Sequence, residues 1–274
     1  MKASERIGQV LGLFTLTAPE RGTAEVASLL GIANSSAHQL LNGLAETGLL
    51  RKQAPGRFRL GPMVNALAQV LANTDRLIEA ARPVVAKTAA DYGETCHVVE
   101  LAGGRLTALS GQAGHRPVGV ARDWISGETP LHAVAAGKLL LAHLATADLL
   151  RLLEAMPLAD FTPATVTARS HLRDQLAEIR ATGYCAAAGE WHADLATCAA
   201  PVRSHAGTCI AAFSIAVPVS RFETQPRAYR TMTLEAADRV SARLGWRDPD
   251  RRAGHIALPA SPTLACNADE ECPA

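Results

Sequence analysis

Between residues 20 and 60, two short apolar stripes are separated by one glycine and followed by a basic pair of extended arms, an order that few folds admit. Val26, Leu29 and Leu30 recur at helical spacing from a start near Thr23, with Glu25 in the first turn, and Gly31 ends the pattern. Ala37, Leu40, Leu41 and Leu44 then form one stripe of a further helix, with Asn34 or Ser35 as its cap and Gly48 beyond its end. Upstream, Ile7, Val10, Leu11 and Phe14 follow the i, i+3, i+4, i+7 rule. A first helix is therefore expected from Ser4, as a possible cap, to about Thr17, closed by Pro19 and Gly22.

The side of the third helix opposite its stripe presents Ser35, Ser36, His38, Gln39 and Asn42. These are short hydrogen-bonding groups of the kind that reach base edges and phosphates in a major groove. Leu49 to Lys52 and Arg57 to Leu60 flank a Pro55–Gly56 turn and carry Arg51, Lys52, Arg57 and Arg59. Three helices, the second pair joined through a glycine turn, plus a basic hairpin describe a winged helix-turn-helix. Charge agrees: residues 1–60 hold seven Lys/Arg against four Asp/Glu, whereas residues 61–246 hold seventeen of each. The positive excess therefore lies where DNA would be met.

Gly61–Pro62 fits a helix start, and Val64, Leu67, Ala68 and Leu71 continue a linker helix to about Asn73. A second helix from about Asp75 to Tyr92 contains Pro83, where a kink or break is expected. Strands are expected at 96–102 and 105–110 around Gly103–Gly104, and a third at 116–121. Helices at 131–144, 148–156 and 170–182 precede strands at 184–190, 196–203 and 208–217, and a last helix spans about 226–244. This is an α+β order around one antiparallel sheet.

The stretch GTAEVASLLGIANSSAHQLLNGLAETGLL followed by GRFRLGPMV resembles the DNA-binding half of the IclR family of bacterial regulators. GETPLHAVAAGKLLLAHL, LAEIRATGYCAAAGEWHADLATCAAPV and AAFSIAVPVSRF resemble its effector domain in the same order, so that the likeness runs from about Ser4 to Leu244. One departure is Gln39, where the family often carries an arginine; phosphate attraction would then lean on Arg51, Lys52, Arg57 and Arg59.

The resemblance implies a winged helix-turn-helix over residues 1–61, a linker helix over 62–74 and a GAF-like α/β effector-binding domain over 75–246; beyond Trp246 the composition turns to charge and proline, and a flexible tail is expected over 247–274. It implies a ligand-responsive transcription regulator of a catabolic or metabolic operon, with repression favoured. Its partners would be a pseudo-palindromic double-stranded operator, a small-molecule effector and further copies of itself, as a homodimer or dimer of dimers. The alternative reading, which the Gln39 departure permits, is an effector-binding protein that acts through protein partners without DNA.

Carried over position by position, the family's effector contacts fall at the backbones of Ala135 and Ala136 and at Ala187, Thr197, Ser214 and Ala216. Members that sense small oxo-acids carry Asp, Cys, Ser and Ser at the last four. With two of those four polar groups replaced by alanine, the implied effector is a larger, partly apolar or aromatic acid, amide or related metabolite.

Enzymatic readings find less support. Glu190, His192 and Asp194 would share one side of an extended segment and, with His132, could hold a metal or move protons, but no nucleophile motif accompanies them. The bland alternatives are a His132 held by backbone and a structural Gly137 beside a solvated Lys138. AAGKLL lacks the first glycine and the hydroxyl of a phosphate-binding loop. Six cysteines without a C-x-x-C pair suit reduced core thiols, and neither metal nor cofactor is expected. In the tail, Cys266 and Cys272 bracket NADEE without further ligands. No apolar run is long enough to cross a membrane and no leader is apparent, so a cytoplasmic protein is expected.

Overall fold

The computed structural model describes residues 3–15, 17–125 and 128–247. The expected tail beyond Arg247, with Cys266 and Cys272, lies outside the described residues.

The N-terminal unit contains α1 (Ala3–Gly12), α2 (Thr23–Leu30) and α3 (Asn34–Glu46) with a three-stranded sheet of order β1-β3-β2, from β1 (Glu20–Gly22), β2 (Leu50–Ala54) and β3 (Arg57–Leu60). Val10, Val26, Ala37, Leu41, Leu44, Leu50 and Phe58 bury against one another, so the stripes read from the sequence form one core except at Leu29, which is exposed. Gly31 takes the left-handed conformation at φ +62°, which lets its amide close α2 onto the carbonyls of Ala27 and Ser28.

The caps differ from expectation. Ser4 lies inside α1, and α3 starts at Asn34 after Ala33, with no side-chain cap. At α2 the first turn supplies its own acceptor, since Glu25 Oε2 receives the Gly22 amide at 2.6 Å. Strand β1 was not expected; it adds to the wing because Glu20–Gly22 runs antiparallel to Arg57–Arg59.

α4 (Pro62–Thr74) leads into α5 (Arg76–Tyr92), capped by Asp75, whose carboxylate accepts from the Leu77 and Ile78 amides at 2.7 and 3.2 Å. No break occurs at Pro83: α5 runs on through it. One missing amide is offset because Ala80, Ala81, Val84, Val85 and Ala89 are all buried in the core that α5 shares with the sheet and α10 (Pro226–Arg243).

The sheet has order β5-β4-β8-β7-β6, entirely antiparallel, from β4 (Thr95–Ala102), β5 (Arg105–Gln112), β6 (Cys185–Ala188), β7 (Leu195–Arg203) and β8 (Cys209–Pro218). One face packs on α5 and α10, the other on α6 (Ala135–His143) and α8 (Arg169–Thr182). α7 (Thr146–Ala155) and the short α9 (Val219–Thr224), which was not foreseen, complete the unit.

The strand expected at Arg116–Ala121 is a loop. Its carbonyls are taken by side chains instead of a ladder: Thr95 Oγ1 donates to Val120 O at 2.5 Å and Arg221 Nη2 to Val118 O at 2.8 Å. α6 begins at Ala135 rather than Leu131, because the preceding turn folds back so closely that a Cβ on Gly137 would lie 2.2 Å from Leu131 O.

Candidate functional site

Two regions present chemistry. The first is the outer side of α3. Ser35, Ser36, His38 and Gln39 are exposed and Asn42 is half-buried, so the expected polar row is uncovered. Asn42 Nδ2 lies 3.0 Å from His38 Nδ1, which ties two of these groups together. Beside them the wing closes a cleft of about 430 Å³ lined by His38, Asn42, Lys52, Gln53 and the Pro55–Gly56 turn.

Register sorts the four basic residues. Lys52 pairs with Phe58 and shares its side of the hairpin, facing α3. Arg51 pairs with Arg59 on the other side, and Arg59 lines a crevice with Leu60, Arg105, Ile125 and Glu128. Arg57 Nε lies 3.6 Å from Glu20. The structure thus gathers His38, Asn42 and Lys52 and sets Arg51, Arg57 and Arg59 apart from them.

The second region is the α6 side of the sheet. Cross-strand register places Thr95, Ala216, Thr197 and Ala187 in one row, and His97, Ser214, Ala199 and Cys185 in the next. The four side-chain positions expected to meet an effector therefore fall in two adjacent rows under the start of α6, and all six expected positions are buried. The Ala135 amide donates to Thr197 Oγ1 at 2.9 Å, so two of the expected contacts satisfy each other. Ser214 Oγ is buried without a partner.

A pocket of about 630 Å³ opens where these rows end, at Leu195 and Pro218, and is walled by Trp124, Trp191, His192 and Val118–Val120. Trp124 and Trp191 stand 6.1 Å apart, and His97 meets Trp124 edge-on at 6.0 Å. Two of the chain's three tryptophans thus line one cavity. Sequence reasoning missed both, and His97 with them, although in a chain of 4% aromatic content a tryptophan inside GEWHAD was the available signal.

The acid/base cluster does not form. Residues 189–194 are a bend rather than an extended segment, and His192 and Asp194 are exposed while Glu190 turns inward. Lys138 is 1% exposed and its Nζ sits 2.5 Å from Glu190 Oε2 and 2.9 Å from Gln175 Oε1, which corrects the solvated lysine expected there. Thr162 and Thr165 hydroxyls donate to the carbonyls of Gly189 and Glu190, each at 2.6 Å, fixing the bend from outside. His132 Nε2 is held by Ala159 O at 2.9 Å, and burial pushes its pKa down. Burial also pushes the Cys198 thiol up to about 12, as befits a core thiol. Among the described residues no group of three His, Cys, Asp or Glu could hold a metal ion, and no helix is long and apolar enough to cross a membrane.

A winged helix-turn-helix joined to a sensing domain of one antiparallel sheet between helical layers defines a class of ligand-controlled DNA-binding proteins. Residues 3–54 match the IclR helix-turn-helix domain and residues 68–242 the bacterial transcriptional regulator IclR C-terminal domain. The chain belongs to the IclR family and is a transcriptional regulator rather than an enzyme.

It is 29% identical over 248 residues to the HTH-type transcriptional regulator XynR of Escherichia coli K12, covering 90% of this chain and 98% of that one. It is 27% identical over 257 residues to the transcriptional repressor IclR of the same organism, covering 89% and 88%. A putative IclR regulator from Silicibacter sp. TM1040 superposes with a TM-score of 0.81 at 26% identity, over 90% and 98% of the two chains. An IclR homologue from Microbacterium hydrocarbonoxydans, solved with 4-hydroxybenzoate, superposes with a TM-score of 0.74 at 26% identity, over 89% and 99%.

Proposed function

We propose that this regulator is a sequence-specific repressor of a catabolic or metabolic operon, released or retained by a partly apolar or aromatic effector. The observation that carries the reading is the uncovered polar face of α3 beside the wing cleft, where Ser35, Ser36, His38, Gln39 and Asn42 stand clear of the core. On this reading residues 1–61 bind DNA, 62–74 link, and 75–246 sense the effector, in the cytoplasm. Ser36, His38, Gln39 and Asn42 read bases, Ser35 adds a hydroxyl at the helix start, and Lys52 is the basic residue best placed to brace the same groove. Arg51, Arg57 and Arg59 meet flanking phosphates.

The effector reading is supported by the two-tryptophan pocket and by the aromatic acid in the Microbacterium homologue. Ala135, Ala136, Ala187, Thr197, Ser214 and Ala216 are assigned to the buried end of that site, behind the pocket's own lining at Leu195 and Pro218. A second copy is supported by α4, whose Met63, Leu67, Val70 and Leu71 are exposed. A symmetric dimer reads a pseudo-palindromic operator.

The experiment is a titration of operator-containing and scrambled DNA at several salt concentrations, after footprinting of the DNA upstream of the regulator's own gene. Lys52→Ala is expected to lower the salt slope by about 1 with the preferred site unchanged, and Gln39→Ala to relax preference at one base position by roughly 1–3 kcal/mol. Absence of both sequence preference and steep salt dependence would replace this reading with action through protein partners.

A further inference from the structure

His97 and Ser214 are direct cross-strand partners on the α6 side of the sheet, 1% and 0% exposed. His97 Nδ1, Ser214 Oγ and Trp124 Nε1 are all buried without a hydrogen-bond partner, and the His97 and Trp124 rings are in edge contact. Proteins seldom leave one such atom unsatisfied, and three in neighbouring residues mark a place built to receive polar atoms from elsewhere.

The state of the imidazole follows from its surroundings. Nε2 lies 2.5 Å from the Arg122 carbonyl oxygen, an atom that only accepts, so Nε2 carries the hydrogen. Burial keeps the ring neutral by pushing its pKa down to about 4. Nδ1 is therefore a bare lone pair. Its direction is also fixed: the Cδ2–Nε2 edge lies over Gly111 of β5, where an added Cβ would come within 2.5 and 2.8 Å of those atoms. Nδ1 is on the opposite edge of the ring, away from β5 and toward the β8 side, where Ser214 is the cross-strand neighbour.

We propose that His97 and Ser214 form the selective inner end of the effector site and require an uncharged hydrogen-bond donor there, a hydroxyl or an amide N–H. The proposal rests on the effector reading above and names the chemistry of that site. A hydroxyl on a ring lying along Trp124 donates to His97 Nδ1 and accepts from the Ser214 hydroxyl or the Trp124 N–H, which satisfies two of the three orphan groups. A carboxylate at this end has no hydrogen to give Nδ1 and sets its charge against that lone pair; any carboxylate on the effector must point outward, toward the mouth of the pocket.

The test uses the full chain and matched pairs of para-substituted benzoates and benzamides, 4-hydroxy against 4-fluoro, with tryptophan fluorescence as the readout. The fluoro group is close in size and donates nothing. The hydroxy member of a pair is expected to bind at least tenfold more tightly, and His97→Phe to reduce that ratio below twofold. Because this variant can disturb folding, ¹⁵N spectra of the wild-type imidazole give a second measure: Nδ1 should be unprotonated in the free protein, and its resonance should move when the hydroxy compound is added. Equal binding of the two members, or a proton on Nδ1 in the free protein, overturns the proposal and leaves the pocket in place. If neither series binds while operator DNA is still held, the effector reading of the pocket fails and this proposal falls with it.

Discussion

The two faces of the five-stranded sheet are built from the same strands and differ in one respect. Toward α5 and α10 the strands present Cys96, Val98, Cys198, Ala200, Phe213 and Ile215, all fully buried and apolar. Toward α6 the alternate positions present His97, Thr197 and Ser214 among alanines, equally buried. Burying polar atoms costs stability unless they are paired, so a face that keeps them has been held to a second requirement besides packing. The α10 face stabilises the fold, and the α6 face is the one on which the proposed effector site rests.

The largest expected effects test that contrast through packing and charge. Phe213→Ala should destabilise by about 3–5 kcal/mol in urea unfolding, since it opens a cavity in the apolar face. On the other side, Lys138→Met should cost a comparable ~3–5 kcal/mol by leaving Glu190 buried without its cation. The double variant Lys138→Met with Glu190→Leu should recover most of that loss. If Lys138→Met is harmless, the ion pair is not what anchors the bend beneath Trp191.

A smaller effect is set by pH. The unfolded chain takes up a proton on His97 near the ordinary value of 6.5, whereas burial holds the folded ring neutral down to about 4. Between those values the unfolded state binds more protons, so stability contributed by the neutral ring is complete above about 6.5 and is lost as pH falls toward 4. At roughly 1.4 kcal/mol per unit, the full loss is on the order of 3 kcal/mol. His132 and His143, pushed the same way by burial, add to it in the same direction. Urea midpoints from pH 7.5 to 4.5 check this, and His97→Gln should flatten the slope; an unchanged slope would mean that the ring is accessible to protons in the folded state.

The sequence made the DNA-binding unit legible because its signals are local. The stripes at Val26 and at Ala37–Leu44, the glycine at 31 and the basic hairpin each act within a few residues. The sensing domain was legible in its strands and less so in its site. Ala187, Thr197, Ser214 and Ala216 were proposed by resemblance alone, and the residues set beside them come from afar: His97 from β4, Trp124 from a loop that no sequence signal marked, and Trp191 from a bend read as extended. Lys138 is the plainest case. No local rule distinguishes a solvated lysine from one that crosses to Glu190, because the pairing joins residues separated by 52 positions.

The smallest expected effect discriminates most finely between the two faces. Ser214 Oγ is buried with no partner, so Ser214→Ala removes a desolvated hydroxyl without breaking any bond within the chain. Stability should be unchanged or rise by up to about 1 kcal/mol, whereas a packing residue on the opposite face can only lose. Thr197→Val is the control, because its hydroxyl accepts from the Ala135 amide and its loss strands that donor, at a cost of about 1–3 kcal/mol. Thermal unfolding of the two variants side by side gives the sign. If Ser214→Ala destabilises as much as Thr197→Val, the serine serves the fold, and the argument that this face is kept polar for a ligand loses its simplest support.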